Sequence, residues 1–263
     1  METDAARSTR EYLDFAIEAA FRAGRLVLSH FQTGTPVDRK ADDSPVTLAD
    51  REGEALLRKL ISERFPRHAV VGEEMGGAWS DSSHRWILDP IDGTVSFVHG
   101  VPLFGVLIGL EIDGEPVVGV CYLPALDEML SAARGEGCRW NGREARVSQI
   151  KELHEALVCL TDPGSLDGAH RRFWERLKRN ARLVRGYSDC YGHCLVATGR
   201  AEIMLDPVMN LWDCAALAPI VEEAGGSFTD WQGRRSIDSG SAISTNGALL
   251  SEVMALLEDA GGS

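Results

Sequence analysis

The chain has 263 residues, of which 44% are hydrophobic, so it is long enough to bury one large core or two closely packed halves. Its 40 acidic residues outnumber its 27 basic residues and give a formal net charge of -13. This charge argues against a nucleic-acid partner and an anionic membrane, because both require a basic surface. A small phosphorylated metabolite stays compatible with it, since bound metal ions reverse the local field around carboxylates.

Two helices are predicted in the first quarter of the chain. Apolar residues recur at helical spacing over residues 13–31, and a second apolar stripe over residues 48–61 is followed by Pro66. The segment between them, residues 33–45, is rich in Gly, Pro and Asp and is predicted to be a loop. We therefore expect both helices to precede the first strand.

Short apolar runs after the second helix predict strands. The runs AVVG at residues 69–72 and RWILD at residues 85–89 precede two longer runs that are joined across an Asp-Gly pair at residues 113–114. A further hairpin turn is predicted at the Asn-Gly pair of residues 141–142. This region is expected to form an antiparallel sheet and, with the helix pair, to make up an N-terminal half over residues 1–150.

The remainder of the chain, residues 151–263, alternates between strands and helices, which is typical of an α/β unit. Strands are predicted at residues 156–160, 182–185, 202–205 and 227–229, and helices at residues 170–179, 190–198 and 212–224. The sequence contains no linker, repeat or low-complexity tract. The two halves are therefore expected to form one compact unit.

Six cysteines are spread along the chain without a CxxC pair, which predicts reduced, buried thiols. The N-terminal segment is polar, and no stretch approaches the roughly 20 apolar residues of a membrane span. From these features we expect a cytoplasmic protein without a membrane partner.

The string DPIDGT places two acids directly after the apolar strand residues 86–88. The proline between them restricts the backbone, and the Asp-Gly pair allows a tight turn. The carboxylates of Asp89 and Asp92 and the carbonyl of Ile91 can therefore converge on one cation. Hard divalent cations prefer such oxygen ligands. For an isolated Asp-Gly pair, a turn that only caps the next segment is the alternative.

Three further acids stand at positions that suit metal binding, although each also has a structural explanation. Glu73 ends a predicted strand, where a solvated turn is the alternative. Asp213 begins a predicted helix, where the helix dipole alone would favour an acid. Asp50 follows Thr47 at the spacing of a capping box.

These acids lie in strings that resemble the inositol monophosphatase superfamily of metal-dependent phosphatases: GEE at residues 72–74, DPIDGT at 89–94, and WD with VEEAGG within 212–226. The resemblance extends over essentially the whole chain. It implies a mixed α+β and α/β fold, a layered αβαβα sandwich, commonly assembled as a homodimer, with two to three Mg²⁺ ions per subunit. The metal ligands that it implies are Glu73, Asp89, the Ile91 carbonyl, Asp92 and Asp213, with Asp50 near a third site.

The implied chemistry is hydrolysis of a small phosphate monoester. A dianionic phosphate requires charge neutralisation, an activated water and help for the leaving alkoxide, which a two-metal carboxylate site supplies. We expect a water near Glu73 and Thr94, with Asp50 as a further catalytic residue, to attack phosphorus without a covalent enzyme intermediate. The amides of Gly93 and Thr94 can bind phosphate oxygens if a helix begins there. Lys40, in a stretch that resembles the mobile loop of the family, is expected to contribute to metal and phosphate binding, and a solvated surface lysine is the alternative.

The substrate is predicted from residues 186–207, whose sequence resembles the histidinol-phosphatase branch of the family. Asp189 and Asp206 are candidates for binding the ammonium and imidazole groups of L-histidinol phosphate, because carboxylates favour a cationic substrate. An N-cap role is the alternative for Asp189. For His193, a packed helix position is the alternative to substrate contact.

Other functions are also compatible with these motifs. Because Val95 and His99 stand where histidinol-phosphatase relatives often carry basic residues, inositol 1-phosphate is the alternative substrate. A 3'-phosphoadenosine 5'-phosphate phosphatase is a further alternative. A catalytically silent regulatory relative is the alternative of a different class, and the presence of every expected ligand argues against it.

Overall fold

The computed structural model describes residues 8–34, 36–40, 45–77 and 82–261. The helices are α1 Thr9–His30, α2 Leu48–Arg64, α3 Thr94–Val98, α4 Gly168–Asn180, α5 Asp189–Ala197, α6 Leu211–Glu223 and α7 Leu250–Gly261. The strands are β1 Val37–Arg39, β2 Pro45–Thr47, β3 Ala69–Gly72, β4 His84–Asp92, β5 Gly105–Ile112, β6 Glu115–Leu123, β7 Glu128–Ala133, β8 Gly137–Trp140, β9 Arg143–Ala145, β10 Leu157–Leu160, β11 Leu183–Arg185, β12 Ile203–Asp206, β13 Ser227–Thr229 and β14 Ala242–Thr245.

Strands β3 to β9 form a seven-stranded sheet in chain order, and every neighbouring pair from β4 onward is antiparallel. The two predicted hairpin turns are present, with left-handed φ values of 53° at Asp113 and 48° at Asn141. The prediction of a wholly antiparallel sheet is wrong at its edge, because β3 pairs parallel to β4. A long connection rather than a two-residue turn joins these strands, which lets the chain return and run in the same direction.

A short hairpin lies between α1 and α2, where the sequence predicted a loop. Strand β1 pairs antiparallel with β2 and places Val37 opposite Thr47, so the expectation that both helices precede the first strand is wrong. Each strand has three residues, and β1 is exposed throughout. Strand β1 is solvated, and both strands are too short to show the alternation of apolar residues by which a strand is recognised in a sequence.

The C-terminal half contains a five-stranded sheet in the order β11-β10-β12-β14-β13. Strand β10 is parallel to β11 and β12, whereas β14 is antiparallel to β12 and β13. Helices alternate with the parallel strands, as the sequence pattern predicted. The predicted boundary at residue 150 falls between β9 and β10 and remains a prediction of where one half ends.

Buried side chains join the sheets and helices into five layers. Helices α1 and α2 cover one face of the seven-stranded sheet, α5 and α6 fill the space between the two sheets, and α4 and α7 cover the outer face of the five-stranded sheet. The layered αβαβα arrangement is therefore confirmed. Strands β5 and β6 are buried on both faces, which explains their nearly continuous apolar sequence. Within the described ranges, no helix has both the length and the apolar composition needed to cross a membrane.

Helix α6 lies very close to the seven-stranded sheet at two glycines. A Cβ atom added to Gly109 would lie 2.7 Å from the Cβ of Ala215, and one added to Gly119 would lie 2.1 Å from the carbonyl oxygen of Ala216. The first turn of α6 carries Asp213. This close contact therefore helps to set the distance between that carboxylate and the strands of the sheet.

We expect Gly119→Ala to destabilise the protein by about 1–3 kcal/mol, because the added methyl group must push α6 away from the sheet. Urea unfolding followed by circular dichroism measures this change. Gly186→Ala is a matched control, since no atom lies within 4 Å of its added Cβ and its φ is not left-handed. A free energy of unfolding for Gly119→Ala within about 0.5 kcal/mol of the wild-type value would contradict the close contact.

Candidate active site

Three carboxylates meet where the end of β4 approaches the start of α6. One oxygen atom from each of Asp89, Asp92 and Asp213 lies within 4.8 Å of the others, and we call these residues the carboxylate cluster. Residues three apart in a regular strand point to opposite faces, but the β4–β5 pairing shifts register between Asp89 and Asp92. This irregularity lets both side chains turn toward one place. The Asp89 carboxylate also accepts the N–H of Ile91 at 2.9 Å.

Two helix starts hold the other members of the carboxylate cluster. Asp213 is the third residue of α6, and its Oδ2 accepts the N–H of Asn210 at 2.7 Å, as in a capping box. The Oδ2 of Asp92 accepts the N–H of Cys190, in the first turn of α5, at 2.5 Å. Asp213 therefore has the structural role foreseen for an acid at a helix start and also belongs to the carboxylate cluster.

Burial and mutual repulsion disfavour negative charge on the carboxylate cluster. Burial raises the pKa values of Asp89 and Asp92 well above the ordinary range, and neighbouring carboxylates raise them further. Burial also raises the pKa of Asp213, to about 7. In the part of the chain that the structure describes, no Lys or Arg side chain pairs with any of the three. Clustered, buried carboxylate oxygens are the donor set that a hard divalent cation prefers, so these residues fit Mg²⁺.

Glu73 lies beside the carboxylate cluster, but its own carboxylate is paired with Lys40. The Lys40 Nζ atom lies 2.7 Å from Oε1 of Glu73 and 2.7 Å from Oε1 of Glu74. Burial opposes the charge of Lys40, yet these hydrogen bonds outweigh it and raise the lysine pKa. Burial raises the pKa of Glu74 to about 7. Lys40 is thus bound to acids rather than solvated, and residues 41–44 of its loop lie outside the described residues.

Asp50 is fully buried at the start of α2 and is bound mainly by Thr47. Its Oδ2 accepts the N–H and the Oγ1–H of Thr47 at 2.7 and 2.6 Å, which completes the predicted capping box. Its Oδ1 lies 3.5 Å from Thr94 Oγ1, and that hydroxyl donates to the Ile91 carbonyl at 2.9 Å. Asp50, Thr94 and Ile91 therefore form a connected polar group, although Asp50 is not one of the three acids that meet.

The predicted helix after the acidic turn is present but short. Helix α3 begins at Thr94, and its N-cap Gly93 has a φ of 85°, a left-handed value that favours glycine. Space also requires glycine here, because an added Cβ would lie 2.9 Å from the carbonyl oxygen of Leu103. The backbone amides of this turn therefore follow directly on the Asp92 end of β4.

The two acids predicted to select the substrate are linked through one hydroxyl. Thr161 Oγ1 donates to Asp206 Oδ2 at 2.7 Å and accepts the N–H of Asp189 at 3.1 Å. Asp189 is the first residue of α5 rather than its N-cap, so the N-cap alternative is wrong. Ser188 is the N-cap, and its hydroxyl donates to Asp189 Oδ2 at 2.7 Å. We call Thr161, Asp189 and Asp206 the anionic subsite.

The anionic subsite lies next to the carboxylate cluster. A Cβ atom added to Gly93 would lie 3.4 Å from Asp189 Oδ2. Burial and then the charge of Asp189 raise the pKa of Asp92. Burial likewise raises the pKa of Asp189, and the charge of Asp206 adds to this. Within the described ranges neither subsite acid pairs with Lys or Arg, so this region also favours a cation.

His193 is fully buried beside the anionic subsite. Its Nδ1 lies 2.7 Å from Ser244 Oγ, and its Nε2 lies 3.9 Å from Asp206 Oδ2. Counting only residues that the structure describes, Nε2 has no hydrogen-bond partner. The packed helix position predicted as the alternative for His193 is therefore observed, with one ring nitrogen close to the subsite.

Several residues that shape this site were missed in the sequence. Glu54 and Arg58 form an ion pair of 2.7 Å on α2, and the signal for them was a charge within the apolar stripe of a helix. Thr161 directly follows a strand, but only its contact with Asp206 distinguishes it from other threonines. The backbone amide of Cys190 has no side-chain signal at all.

A layered α/β chain with buried carboxylates at a strand end and at a helix start has the architecture of a metal-dependent phosphoric monoester hydrolase. A model of the inositol monophosphatase family matches residues 8–261. The chain belongs to this family, whose members are metal-dependent, and it is a phosphoric monoester hydrolase.

The relatives with curated names include two histidinol-phosphatases. The chain is 48% identical over 240 residues to the histidinol-phosphatase of Chlorobaculum parvum. This alignment covers 90% of this chain and 93% of that protein. The chain is 40% identical over 253 residues to the histidinol-phosphatase of Mycobacterium tuberculosis, with 93% and 97% covered. Among solved structures, the IMPase of Thermotoga maritima has a TM-score of 0.86 at 33% identity, with 96% of this chain and 98% of that chain covered.

Proposed function

We propose that the protein hydrolyses L-histidinol phosphate to L-histidinol and phosphate in histidine biosynthesis and requires Mg²⁺. The observation that carries this proposal is the anionic subsite, in which Asp189 and Asp206 share Thr161 next to the carboxylate cluster. The relatives named histidinol-phosphatase, at 48% and 40% identity, support the same substrate.

The residues proposed to hold two Mg²⁺ ions are Glu73, Asp89, the Ile91 carbonyl, Asp92 and Asp213, with Asp50 near a third. When bound, Mg²⁺ neutralises phosphate charge and makes water a stronger acid. Glu73 would have to exchange Lys40 for the metal ion in order to serve as a ligand. Release of Lys40 from Glu73 leaves its ammonium group able to bind a phosphate oxygen.

Asp50 is placed to accept a proton from the attacking water through Thr94, whose hydroxyl can take up the water proton as it passes its own proton to Asp50. The Thr94 hydroxyl donates to the Ile91 carbonyl, so its oxygen retains a lone pair for a hydrogen bond from water, and Asp50 Oδ1 lies 3.5 Å away. Burial raises the pKa of Asp50, which makes it a stronger base than an ordinary aspartate. A bond forms between water oxygen and phosphorus while the ester P–O bond breaks, and the leaving alkoxide takes up a proton from solvent water. The amides of Gly93 and Thr94 are proposed to hold the phosphate oxygens.

Charge favours histidinol phosphate over a neutral alcohol phosphate. The ammonium group of L-histidinol is cationic, and its imidazole can be protonated. A cation in the anionic subsite would offset the repulsion between Asp189 and Asp206 that helps to raise the pKa of Asp189. Charge-assisted hydrogen bonds are also roughly twice as strong as neutral ones. The Nε2 atom of His193, 3.9 Å from Asp206 Oδ2, is a further polar group beside the anionic subsite.

Inositol 1-phosphate is the second candidate substrate. It is favoured by the similarity to the Thermotoga maritima IMPase and by Val95 and His99, which do not supply the basic residues that histidinol-phosphatase relatives often carry. The carboxylate of Asp206 can accept hydrogen bonds from ring hydroxyls as well. The difference between the two candidates therefore rests on whether the subsite needs a cation.

Phosphate release from a substrate panel tests the proposed function. The panel contains histidinol phosphate, inositol 1-phosphate, fructose 1,6-bisphosphate and 3'-phosphoadenosine 5'-phosphate, each measured with Mg²⁺ and after treatment with EDTA. We expect kcat/KM for histidinol phosphate to exceed the others by about 10²-fold, because the subsite acids lack a counter-charge when the substrate is neutral or anionic. A higher kcat/KM for another member would refute the substrate assignment, and undiminished activity in EDTA would refute the metal requirement.

Asp189→Asn tests the anionic subsite directly. Asp189 has a φ of 54°, and asparagine tolerates this left-handed backbone, so the change removes charge without the strain that alanine would add. We expect kcat/KM for histidinol phosphate to fall about 10–100-fold through KM, since a hydrogen bond to a charged group is worth about 1.5–3 kcal/mol. For p-nitrophenyl phosphate the loss should stay within about threefold.

Asp127→Asn is the matched control for this variant, because Asp127 has a φ of 53° and lies in the turn between β6 and β7. This control variant should have the wild-type kcat/KM for both histidinol phosphate and p-nitrophenyl phosphate. An equal loss of kcat/KM for the two substrates in Asp189→Asn would show that Asp189 does not select the substrate.

Two further proposals concern the protein in its cellular setting. We propose a homodimer, as the family resemblance implied, and sedimentation velocity tests it. All six cysteines are free and buried, which supports the proposal of a reducing, cytoplasmic location.

A further inference from the structure

A carboxylate on α2 is buried against the loop that carries Glu73. Glu54 is fully buried, and its oxygens accept three hydrogen bonds. Oε2 accepts the N–H of Glu74 at 2.7 Å, while Oε1 accepts the N–H of Met75 at 3.2 Å and the Nε–H of Arg58 at 2.7 Å. A buried charge of this kind is stable only where its hydrogen bonds are satisfied, so these donors specify one position for the loop.

Arg58 ties the same loop to α2 from the other side. Its guanidinium donates to the carbonyl of Val70, at 3.4 Å, and to the carbonyl of Gly76. The loop is closed on itself by the Gly72 N–H, which donates to the Gly76 carbonyl at 2.9 Å. Gly72 also makes room for the carboxylate, because a Cβ atom added there would lie 2.3 Å from Glu54 Oε1.

Glu73 lies between these fixed points. Its neighbour Gly72 is in contact with the Glu54 carboxylate, its neighbour Glu74 is hydrogen-bonded to it, and its own N–H donates to the Leu88 carbonyl of β4 at 3.2 Å. The backbone of Glu73 is therefore held against the strand that carries Asp89.

We propose that Glu54, supported by Arg58, is a positioning residue that holds the Glu73 carboxylate in place for metal binding. This inference rests on the proposed function in one respect, namely that Glu73 is a metal ligand. Glu54 is not itself a ligand in this account, because the donors of Glu74, Met75 and Arg58 already occupy both of its oxygens. Residues that hold the metal ligands in place without contacting the metal typically change metal affinity by about 10–100-fold when they are removed.

Glu54→Gln is the first test. The amide keeps the size of the side chain, but its NH₂ group must face a donor in either orientation. It faces the N–H of Glu74 in one orientation, and the donors of Met75 and Arg58 in the other. We expect Mn²⁺, used as the probe and followed by electron paramagnetic resonance, to bind about 10–100-fold more weakly than to the wild type. The Mg²⁺ concentration for half-maximal activity should rise by a similar factor. At saturating Mg²⁺, KM for the phosphate substrate should stay within about twofold of the wild-type value.

Glu63→Gln is the matched control, because Glu63 lies on the same helix with 62% of its side chain exposed. It should bind Mn²⁺ as the wild type does. Hydrogen exchange of the residue 73–76 amides should accelerate only in Glu54→Gln, whereas a purely structural role would lower the melting temperature and leave Mn²⁺ affinity unchanged. If Glu54→Gln does not fold, Arg58→Gln replaces it, with about 10-fold weaker Mn²⁺ binding expected.

The possible failures are distinguishable. Wild-type affinity for Mn²⁺ in the folded variant would overturn the role of Glu54 and leave the metal site itself intact. A wild-type enzyme that binds no Mn²⁺ would overturn the proposed metal site and the role of Glu54 together. A substrate other than histidinol phosphate would change neither result, because Mn²⁺ binding is measured without substrate.

Discussion

Asp92→Asn is expected to lower kcat in saturating Mg²⁺ by at least about 10³-fold while the protein stays folded. The substitution removes one charge from the carboxylate cluster without changing the shape of the side chain, and a metal site of this type owes several kcal/mol of barrier reduction to its ligand charges. The asparagine oxygen can still accept the N–H of Cys190. Because burial, Asp189 and Asp213 raise the Asp92 pKa, the metal-free variant should be at least as stable at pH 8 as the metal-free wild type.

Asp113→Asn is the control for this substitution. Asp113 lies in the β5–β6 turn with a left-handed φ of 53°, a conformation in which asparagine is equally acceptable. Its turnover should match that of the wild type. Turnover of Asp92→Asn within about tenfold of the wild type would rule out the carboxylate cluster as the metal site, provided circular dichroism shows that both variants are folded.

The stability of the metal-free protein is expected to fall as pH rises from about 4 to about 7. Burial raises the pKa of Asp213 and of Glu74 to about 7 in the folded state, whereas both groups titrate near 4 in the unfolded chain. The folded state therefore binds more protons than the unfolded state in this range. The contribution of Asp213 and Glu74 to the free energy of unfolding is fully present below pH 4 and is lost as pH rises through about 7.

Bound Mg²⁺ should reverse this loss, and by more at high pH. Ligand carboxylates must be ionised to bind a metal, so protons compete with Mg²⁺ at pH 6. At a concentration about 100-fold above its dissociation constant, Mg²⁺ should stabilise the protein by about 2.7 kcal/mol at pH 8, which corresponds to a rise in Tm of roughly 5–10 °C. At pH 6 the rise should be about 1–4 °C. Differential scanning calorimetry with Mg²⁺ or EDTA measures both, and an equal rise at the two pH values would contradict ionised carboxylates as the ligands.

Local patterns explain why much of the fold was predictable. The apolar stripes of α1 and α2 and the Asp-Gly and Asn-Gly turns depend on residues close in sequence, and the structure shows each of them. The β1–β2 hairpin was missed because strands of three residues are too short to carry a periodic signal. The parallel pairing of β3 with β4 was missed because the direction of a strand depends on the path of a long connection.

The candidate active site also has some features that the sequence predicted and others that only the structure shows. The string DPIDGT predicted that Asp89 and Asp92 converge at a tight turn, and the structure brings them together through a register shift of β4. The structure brings Asp213 to them through α6, which depends on glycines far from it in sequence. It leaves Glu73 paired with Lys40 and Asp50 bound to Thr47, beside the three acids that meet.

The sequence by itself determined the types of the helices and longer strands, the motifs of the family and the residue types that carry the chemistry, because these depend on short-range spacing and side-chain chemistry. Tertiary structure alone decided that Glu73 pairs with Lys40, that Thr161 joins Asp189 to Asp206, and that Glu54 supports the loop of Glu73. These contacts join residues that are distant in sequence. They exist only because burial of the apolar faces brings separate elements to fixed distances, at which desolvated carboxylates must find donors or cations.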